Sequence, residues 1–350
     1  MQNILTAPLR GIGRLITASL KNFDPGKMLD SELVKAEARK PVGTQRVPAG
    51  EGATKRRPFT SGVYWPQTGF SKLSFKQFTG LLHTGVPMMV RLRLSRRYYS
   101  KTIVPTQHIA TDAMFEELEK LAREMGAVDI GYISNIDPNL VFKGKELPHP
   151  HAIVFTVEMD KDEMKTAPSF ESFVEVKKAY LKLGKTSQVL TQYLRDKGFA
   201  AYPGTNLGGI SDYTAVAEQA GLGAIGYHGL LIGPDGGARL RINTIYTNIA
   251  NLPARKNPHL WIRDFCAECL NCVRKCPPQA IYSKPRPKSN GGAGIECISY
   301  QSCLQYFSEN FSCAICVKVC PFSVSGYDKI KNGFEQSKQR NLTATKQPAA

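Results

Sequence analysis

Nine cysteines, none before Cys266 and none after Cys320, constrain this 350-residue chain more than any other feature. Four of them fall in CAECLNCVRKCPP with the spacing C-x2-C-x2-C-x3-C-P, at Cys266, Cys269, Cys272 and Cys276. A second run, CAICVKVCPF, supplies Cys313, Cys316 and Cys320, with Cys297 and Cys303 upstream. Crowding of this kind late in a long chain speaks for metal ligands and against a disulfide framework, which belongs to short secreted chains. In two-cluster ferredoxins the last cysteine of each run serves the other cluster. That crossed rule assigns Cys266, Cys269, Cys272 and Cys320 to one [4Fe–4S] cluster, and Cys276, Cys313, Cys316 and one upstream cysteine to a second. Cys303 is the expected eighth ligand, being nearer and set in the aromatic segment CLQYFSENF, which leaves Cys297 as the bystander. Paired zinc sites are the competing reading, but zinc knuckles separate two C-x2-C pairs by a longer spacer and do not triple the cysteine before Cys-Pro.

The formal charge of +17 is unevenly placed. Residues 1–101 carry 18 Lys/Arg against 5 Asp/Glu, and no acidic residue stands between Glu51 and Asp112. Such a block suits an anionic surface (lipid headgroups, nucleic acid or an acidic partner) as well as it suits a solvated arm. The opening MQNILTAPLRGIGRLITASLKN sets Ile4, Leu5, Leu9, Ile12, Ile16 and Leu20 on a roughly helical stripe, with Arg10, Arg14 and Lys21 off it. That is the pattern of a membrane-surface or transit segment, weakened by Pro8, Gly11 and Gly13. The uncharged stretch from Gln77 to Val90 is too short to span a bilayer and contains Pro87, so no transmembrane helix is expected. SRRYYSK at Ser95 reads as a basic surface turn. With no twin-arginine peptide opening the chain, the expected location is cytoplasmic, with peripheral contact at the cytoplasmic face of a membrane.

From Asp112 the pattern becomes that of a folded core. DAMFEELEKLAREMGAVDIGYIS places Met114, Phe115, Leu118, Leu121, Ala122 and Met125 on one helical face, stops at Gly126 and continues as a strand. A second strand, AIVFTVEM, follows LPHPH. A long helical stretch from Ser169 to Gly198 comes next, broken or kinked near Gly184, and then a short strand, FAAYP. His149 and His151 flank Pro150 with no third ligand nearby, and read as surface or turn histidines. GLGAIG follows a helical stretch, so it is not a dinucleotide fingerprint. The expected division is a basic extension over 1–105, an α/β domain over 106–255, a two-cluster domain over 256–328 and a disordered polar tail over 329–350.

The segment AEQAGLGAIGYHGLLIGPDGGARLRINTIYTN, followed by the two cysteine runs, resembles the cobalamin-dependent iron–sulfur reductases. These comprise reductive dehalogenases and the epoxyqueuosine reductases of tRNA modification. The resemblance extends from about Asp112 to Phe322. It implies an α/β core of the α+β, nitroreductase-like type that holds cobalamin with no protein ligand on the cobalt, and a ferredoxin-like domain bringing electrons through two clusters. It also implies a small-molecule substrate and a low-potential electron donor of ferredoxin or flavodoxin type. Gly221, Gly223, Gly226 and Gly229 would admit the macrocycle to the backbone, while Arg239 and Arg241 would meet its polar groups. The chain departs from the pattern in two places. Ile225 stands where some dehalogenases have a proton-donating tyrosine, and GAIGYH replaces the GWIGKN of many epoxyqueuosine reductases. Asp212 lies closer to AGLG than their catalytic aspartate should. Tyr227 is therefore the expected proton donor, with His228 and Tyr246 as the other candidates and Arg239 or Arg241 as the cation that steadies a phenolate. An epoxyqueuosine-type enzyme, which would use the basic arm on nucleic acid, and a cobalamin-free electron-transfer protein are the alternatives.

Overall fold

The computed structural model describes residues 45–55, 74–100, 103–206, 209–288 and 294–344. The apolar stripe from Ile4 to Leu20 lies outside the described residues, as does much of the basic arm.

Four strands build one antiparallel sheet, in the order Asp129–Ile133, His151–Glu158, Leu240–Thr247, Ala201–Pro203. The strand His151–Glu158 is flanked on both edges and covered on both faces, and all six of its central residues are buried. That double coverage is why its sequence is a continuous apolar run instead of an alternating one. Ile153, Phe155 and Val157 enter one core together with Phe115, Leu118, Leu183 and Leu190. Ala152 and Val154 enter a second with Val216, Ala217 and Leu222. The fold is thus mixed α/β in three layers, with an antiparallel sheet between helices Asp112–Glu124 and Phe170–Asp196 on one side and Tyr213–Gln219 on the other.

Local signals set the helix ends. The Thr111 side chain accepts from the Met114 amide and opens the helix Asp112–Glu124, and Gly126 at φ +91° closes it. Helix Phe170–Asp196 runs unbroken through Gly184, where a break was expected. A Cβ at Gly184 would meet Arg91 Cβ at 3.0 Å and Asn206 Nδ2 at 3.2 Å, so this glycine lets another helix lie close. That helix is Phe75–Tyr99. Its Leu92 and Ser95 are fully buried, and Gln188 Nε2 donates to the Arg91 carbonyl at 2.7 Å and to Ser95 Oγ at 3.1 Å. The Tyr99 hydroxyl donates to the Pro203 carbonyl at 3.1 Å, while Arg195 donates to the Tyr98 carbonyl at 3.0 Å. Ser95–Tyr99 therefore ends a docked helix and is not a surface turn: Ser95 is buried, Tyr98 and Tyr99 are half-buried, and Arg97 stays exposed. No helix among the described residues is long and apolar enough to cross a membrane.

Two further expectations change. His149 is 2 % exposed and stacks on Tyr202 with ring centroids 5.7 Å apart, so it is a core residue. The tail, expected to be disordered from 329, is helical over Tyr327–Ala344. Phe334 on that helix is buried against Trp261 and Phe265, with centroids 5.8 and 5.6 Å away, and anchors it.

The cysteine-rich segment shares the main core, which includes Cys266, Val317, Cys320 and Phe322. Polar ties fix it to the sheet layer. Arg239 pairs with Glu158 and donates to the Ser323 carbonyl; Lys318 Nζ donates to the Ala167 carbonyl at 2.8 Å, and Lys161 Nζ to the Val324 carbonyl at 2.9 Å. Gly237, at φ +61°, lies so near that a Cβ there would meet Phe322 C at 2.5 Å.

Candidate functional site

The first cysteine run is carried by helix Ile262–Cys269, a left-handed Leu270 at φ 48°, and helix Asn271–Lys275. Helix Ile315–Lys318 of the second run packs on the latter, and Asn271 Nδ2 donates to the Val319 carbonyl at 2.6 Å. Cys320 is thereby brought beside the first run. Cys266, Cys269, Cys272 and Cys320 line one cavity, together with His228, Ile232, Phe265, Leu270, Pro321 and Phe322. Burial pushes Cys266 up to about 11, and Cys272 and Cys320 up to about 12. Buried thiols resist ionisation, and ligation to iron supplies the positive charge that reverses this. Among the described residues no three His, Cys, Asp or Glu side chains converge as a single ion requires. The four thiols instead surround a space, which is the donor arrangement of a polynuclear cluster.

Cys276, Cys303, Cys313 and Cys316 form a second set. Burial raises the thiols of Cys303 and Cys316; Cys276 and Cys313 push Cys303 further in the same direction, and Cys313, Cys272, Cys303 and Cys276 do so for Cys316, which thus stands between the two runs. Phe311, Ser312, Cys313 and Ala314 are all left-handed, a tight winding that turns Cys313 and Cys316 toward Cys303. Cys297 stands elsewhere, against Gly229 and near Arg263 and Cys266. Cys303 has Cys276 and Cys313 as neighbours, whereas Cys297 has Cys266.

The glycine block folds onto itself. Gly221 at φ +76° ends helix Tyr213–Gln219, and the hairpin Ala224–Ile225 with Leu231–Ile232 follows. Gly223 packs on the Ile232 carbonyl, Gly226 on the Ile232 side chain, and Gly229 on Cys297. The tip of the hairpin touches the first cysteine set. Cys266 Sγ accepts from the Tyr227 amide, and burial raises the Tyr227 phenol, helped by Cys266, Asp264 and Cys297. His228 is 4 % exposed; burial pushes it down to about 4, and its Nδ1 accepts from the Leu230 amide at 3.2 Å. Tyr246 is elsewhere, fully buried in the second core, its hydroxyl 2.8 Å from Ser211 Oγ. The three candidate acids are therefore not one site: two border the cysteines and one lies inside the core. Asp212 caps helix Tyr213–Gln219 by accepting from the Thr214 and Ala215 amides.

The two arginines also part. Arg239 is committed to Glu158 and Ser323, whereas Arg241 lies over the Tyr180 ring, 5.4 Å from its centroid. Buried polar atoms with no hydrogen-bond partner among the described residues include Arg241 Nε, Asn243 Nδ2 two positions along the same strand, and Asn206 Oδ1, whose residue reaches the Tyr180 carbonyl through its other amide atom. Asn243 Oδ1 already accepts from the Thr244 amide at 2.8 Å, and Asn206 Nδ2 donates to the Tyr180 carbonyl at 3.2 Å. What remains is two donors and an acceptor, beside a phenol. Burial and the Arg241 charge push Lys177 down to about 8. Unpaired buried polar groups of this kind can be satisfied by a bound polar group. Sequence reasoning missed Tyr180, Asn206 and Asn243. Tyr180 reads as one more aromatic on an amphipathic helix, and only the strand parity of Arg241 and Asn243 puts those two on one face of the sheet.

No protein-family model matches the chain. A tetrachloroethene reductive dehalogenase of Sulfurospirillum multivorans is 28% identical over 264 residues, covering 72% of this chain and 50% of that protein. Another from Desulfitobacterium hafniense is 33% identical over 182 residues, covering 49% and 32%. An epoxyqueuosine reductase of Listeria monocytogenes is 31% identical over 133 residues, covering 35% and 31%. The chain is a homologue of reductive dehalogenases and epoxyqueuosine reductases. It spans at most half the length of the reductive dehalogenases it matches. Its fold is that of a catabolic reductive dehalogenase solved in complex with 3-bromo-4-hydroxybenzoic acid, with a TM-score of 0.60 at 20% identity over 69% of this chain and 36% of that one. A further reductive dehalogenase structure, described as bearing on B12-dependent dehalogenation, gives 0.59 at 18% identity over 84% and 47%.

Proposed function

We propose that the chain is a reductive dehalogenase-like oxidoreductase that holds two [4Fe–4S] clusters and a cobalamin and reductively cleaves a small organic substrate. The observation that carries this reading is the exchange of cysteines between the two runs: Cys320 joins Cys266, Cys269 and Cys272 around one cavity, and Cys276 joins Cys303, Cys313 and Cys316. When bound, the clusters pass single electrons and the cobalamin supplies the strongly reducing centre for bond cleavage. A dehalogenase homologue covers 72% of this chain, and a structural neighbour is described as bearing on B12-dependent dehalogenation. Asp212, as a helix cap, lends the epoxyqueuosine reading no support.

The chain's own residues divide the remaining work. Arg241 Nε, Asn243 Nδ2 and Asn206 Oδ1 orient polar groups of cofactor or substrate, and their burial excludes water from that face of the sheet. Tyr180 takes the proton-donor role in place of Tyr227. Its ring lies under the Arg241 guanidinium, a contact that holds the ring beside a cation. Tyr227 has thiols and Asp264 as neighbours, and these disfavour its anion. Arg274, Lys284 and Arg286 line a groove flanking the Cys276 loop, a basic surface for an acidic low-potential electron donor.

Anaerobically purified protein is expected to hold about eight irons and one cobalamin per chain. With reduced methyl viologen as donor, tetrachloroethene and 3-bromo-4-hydroxybenzoic acid are the first substrates to assay. Tyr180→Phe keeps the ring and its cation contact but removes the acid, so turnover should fall about a hundredfold at unchanged metal content. Tyr227→Phe should be near normal. Iron without cobalt, and no turnover of either compound, would move the chain to the electron-transfer class.

A further inference from the structure

We propose that His228 donates its Nε2–H to the cluster held by Cys266, Cys269, Cys272 and Cys320, and so raises that cluster's reduction potential. The inference rests on the iron–sulfur reading above and assigns His228 a positioning and tuning role in place of the acid role read from the sequence.

Three observations fix the geometry. His228 Nδ1 accepts the Leu230 amide hydrogen at 3.2 Å, so that nitrogen carries no proton and the ring's hydrogen sits on Nε2. Nε2 is buried with no hydrogen-bond partner among the described residues. The ring lines the same cavity as the four thiols. A buried N–H facing sulfur ligands and lacking any protein acceptor is a donor awaiting sulfur. The backbone makes room for it: a Cβ at Gly226 would stand 3.2 Å from His228 Cε1 and 3.4 Å from Nε2. The same turn already offers the Tyr227 amide to Cys266 Sγ. The hairpin tip therefore presents two N–H groups to one cluster.

The direction of the effect follows from charge. A cluster's sulfurs are more negative after reduction, so a donor hydrogen bond stabilises the reduced form more than the oxidised one. Losing it lowers the potential. The other cluster, whose cysteines are Cys276, Cys303, Cys313 and Cys316, has no such histidine in its set and should not respond.

The test is a redox titration of the anaerobic holoprotein, followed by low-temperature electron paramagnetic resonance. His228→Leu should shift one of the two couples about tenfold toward the oxidised form, which is about 59 mV for one electron. His228→Gln, which keeps an N–H donor, should recover most of the shift. Wild-type protein labelled with [15N]histidine should show a weak nitrogen coupling to the reduced cluster in pulsed spectra, and His228→Gln should lose it. Two full clusters whose potentials are both unchanged in His228→Leu would overturn the proposal. So would absence of the nitrogen coupling in the wild type, a measurement that decides the matter even where His228→Leu fails to load iron. Wild-type protein that itself lacks about eight irons would instead refute the cluster assignment on which the proposal rests.

Discussion

Gly237→Ala puts the union of sheet and cysteine segment to a quantitative test. At φ +61° an alanine is strained by about 1–2 kcal/mol. Its Cβ would also stand 2.5 Å from Phe322 C and 2.7 Å from Ser323 N, main-chain atoms that follow Cys320 directly and cannot swing aside. Overpacking of this sort adds about 1–3 kcal/mol, for a total of about 2–5 kcal/mol. Gly236→Ala is the matched control. It has a similar φ of +82°, but its Cβ meets the Glu158 side chain, with Cγ at 2.8 Å, a flexible chain that can shift without moving any main-chain atom, at some cost to its pairing with Arg239. The backbone cost of about 1–2 kcal/mol remains there, with a smaller contribution from the loosened ion pair. Trp261 reports the outcome, since its ring lies 5.7 Å from Phe322. Urea unfolding followed by its fluorescence, with iron counted before and after, should place Gly237→Ala about 1–3 kcal/mol below Gly236→Ala and show iron lost earlier. Equal midpoints and equal iron retention in the two variants would refute the reasoning.

Cys303→Ser should leave about four irons per chain while Cys297→Ser keeps about eight, as the second thiol set has no place for Cys297; the reverse result would exchange their roles. Acid should weaken the fold through His149, whose pKa burial pushes down to about 4 from an unfolded value near 6.5. The unfolded state binds the proton first, so this contribution is whole above about pH 6.5 and declines as pH falls toward 4, by roughly 3 kcal/mol in all. Unfolding free energies measured across that window should flatten in His149→Phe, which keeps the stack on Tyr202.

The parts of this fold that could be read from sequence are those with local causes. Met114, Phe115, Leu118 and Ala122 carry a 3.6-residue stripe, capped at Thr111 and stopped at Gly126, and they form the helix that stripe demands. Spacing within each cysteine run is equally local, but the meeting of Cys320 with Cys266, Cys269 and Cys272 joins residues far apart in the chain and is expected from the crossed ligand rule, not from reach along the chain. Where burial depends on a distant partner, the reading failed. Gly184 looks like a break until helix Phe75–Tyr99 is laid across it, and the SRRYYSK turn looks exposed until Gln188 and Pro203 receive it. His149 resembles a loop histidine because nothing near it in sequence announces Tyr202 as its cover. The polar site near Tyr180 was hidden for the same reason. Tyr180, Asn206 and Arg241 lie on three separate segments, and only folding brings them to one place.

The order of strands also bears on how the chain comes to be made. Leu240–Thr247 lies between His151–Glu158 and Ala201–Pro203, so Ala201–Pro203 lacks its sheet neighbour, and His151–Glu158 has only Asp129–Ile133, until the ribosome has delivered residue 247. Such distant pairings close slowly, with apolar edges exposed meanwhile. The first cysteine emerges only after this last strand, when the hairpin bearing Tyr227 and His228 has been synthesised as well. Nascent chains therefore have their sheet complete before any thiol arrives that could capture iron in the wrong company. Chains halted short of Thr247 should be cut readily by proteases and those halted between Thr247 and Cys266 more slowly, with full resistance only once Val317, Cys320 and Phe322 complete the core.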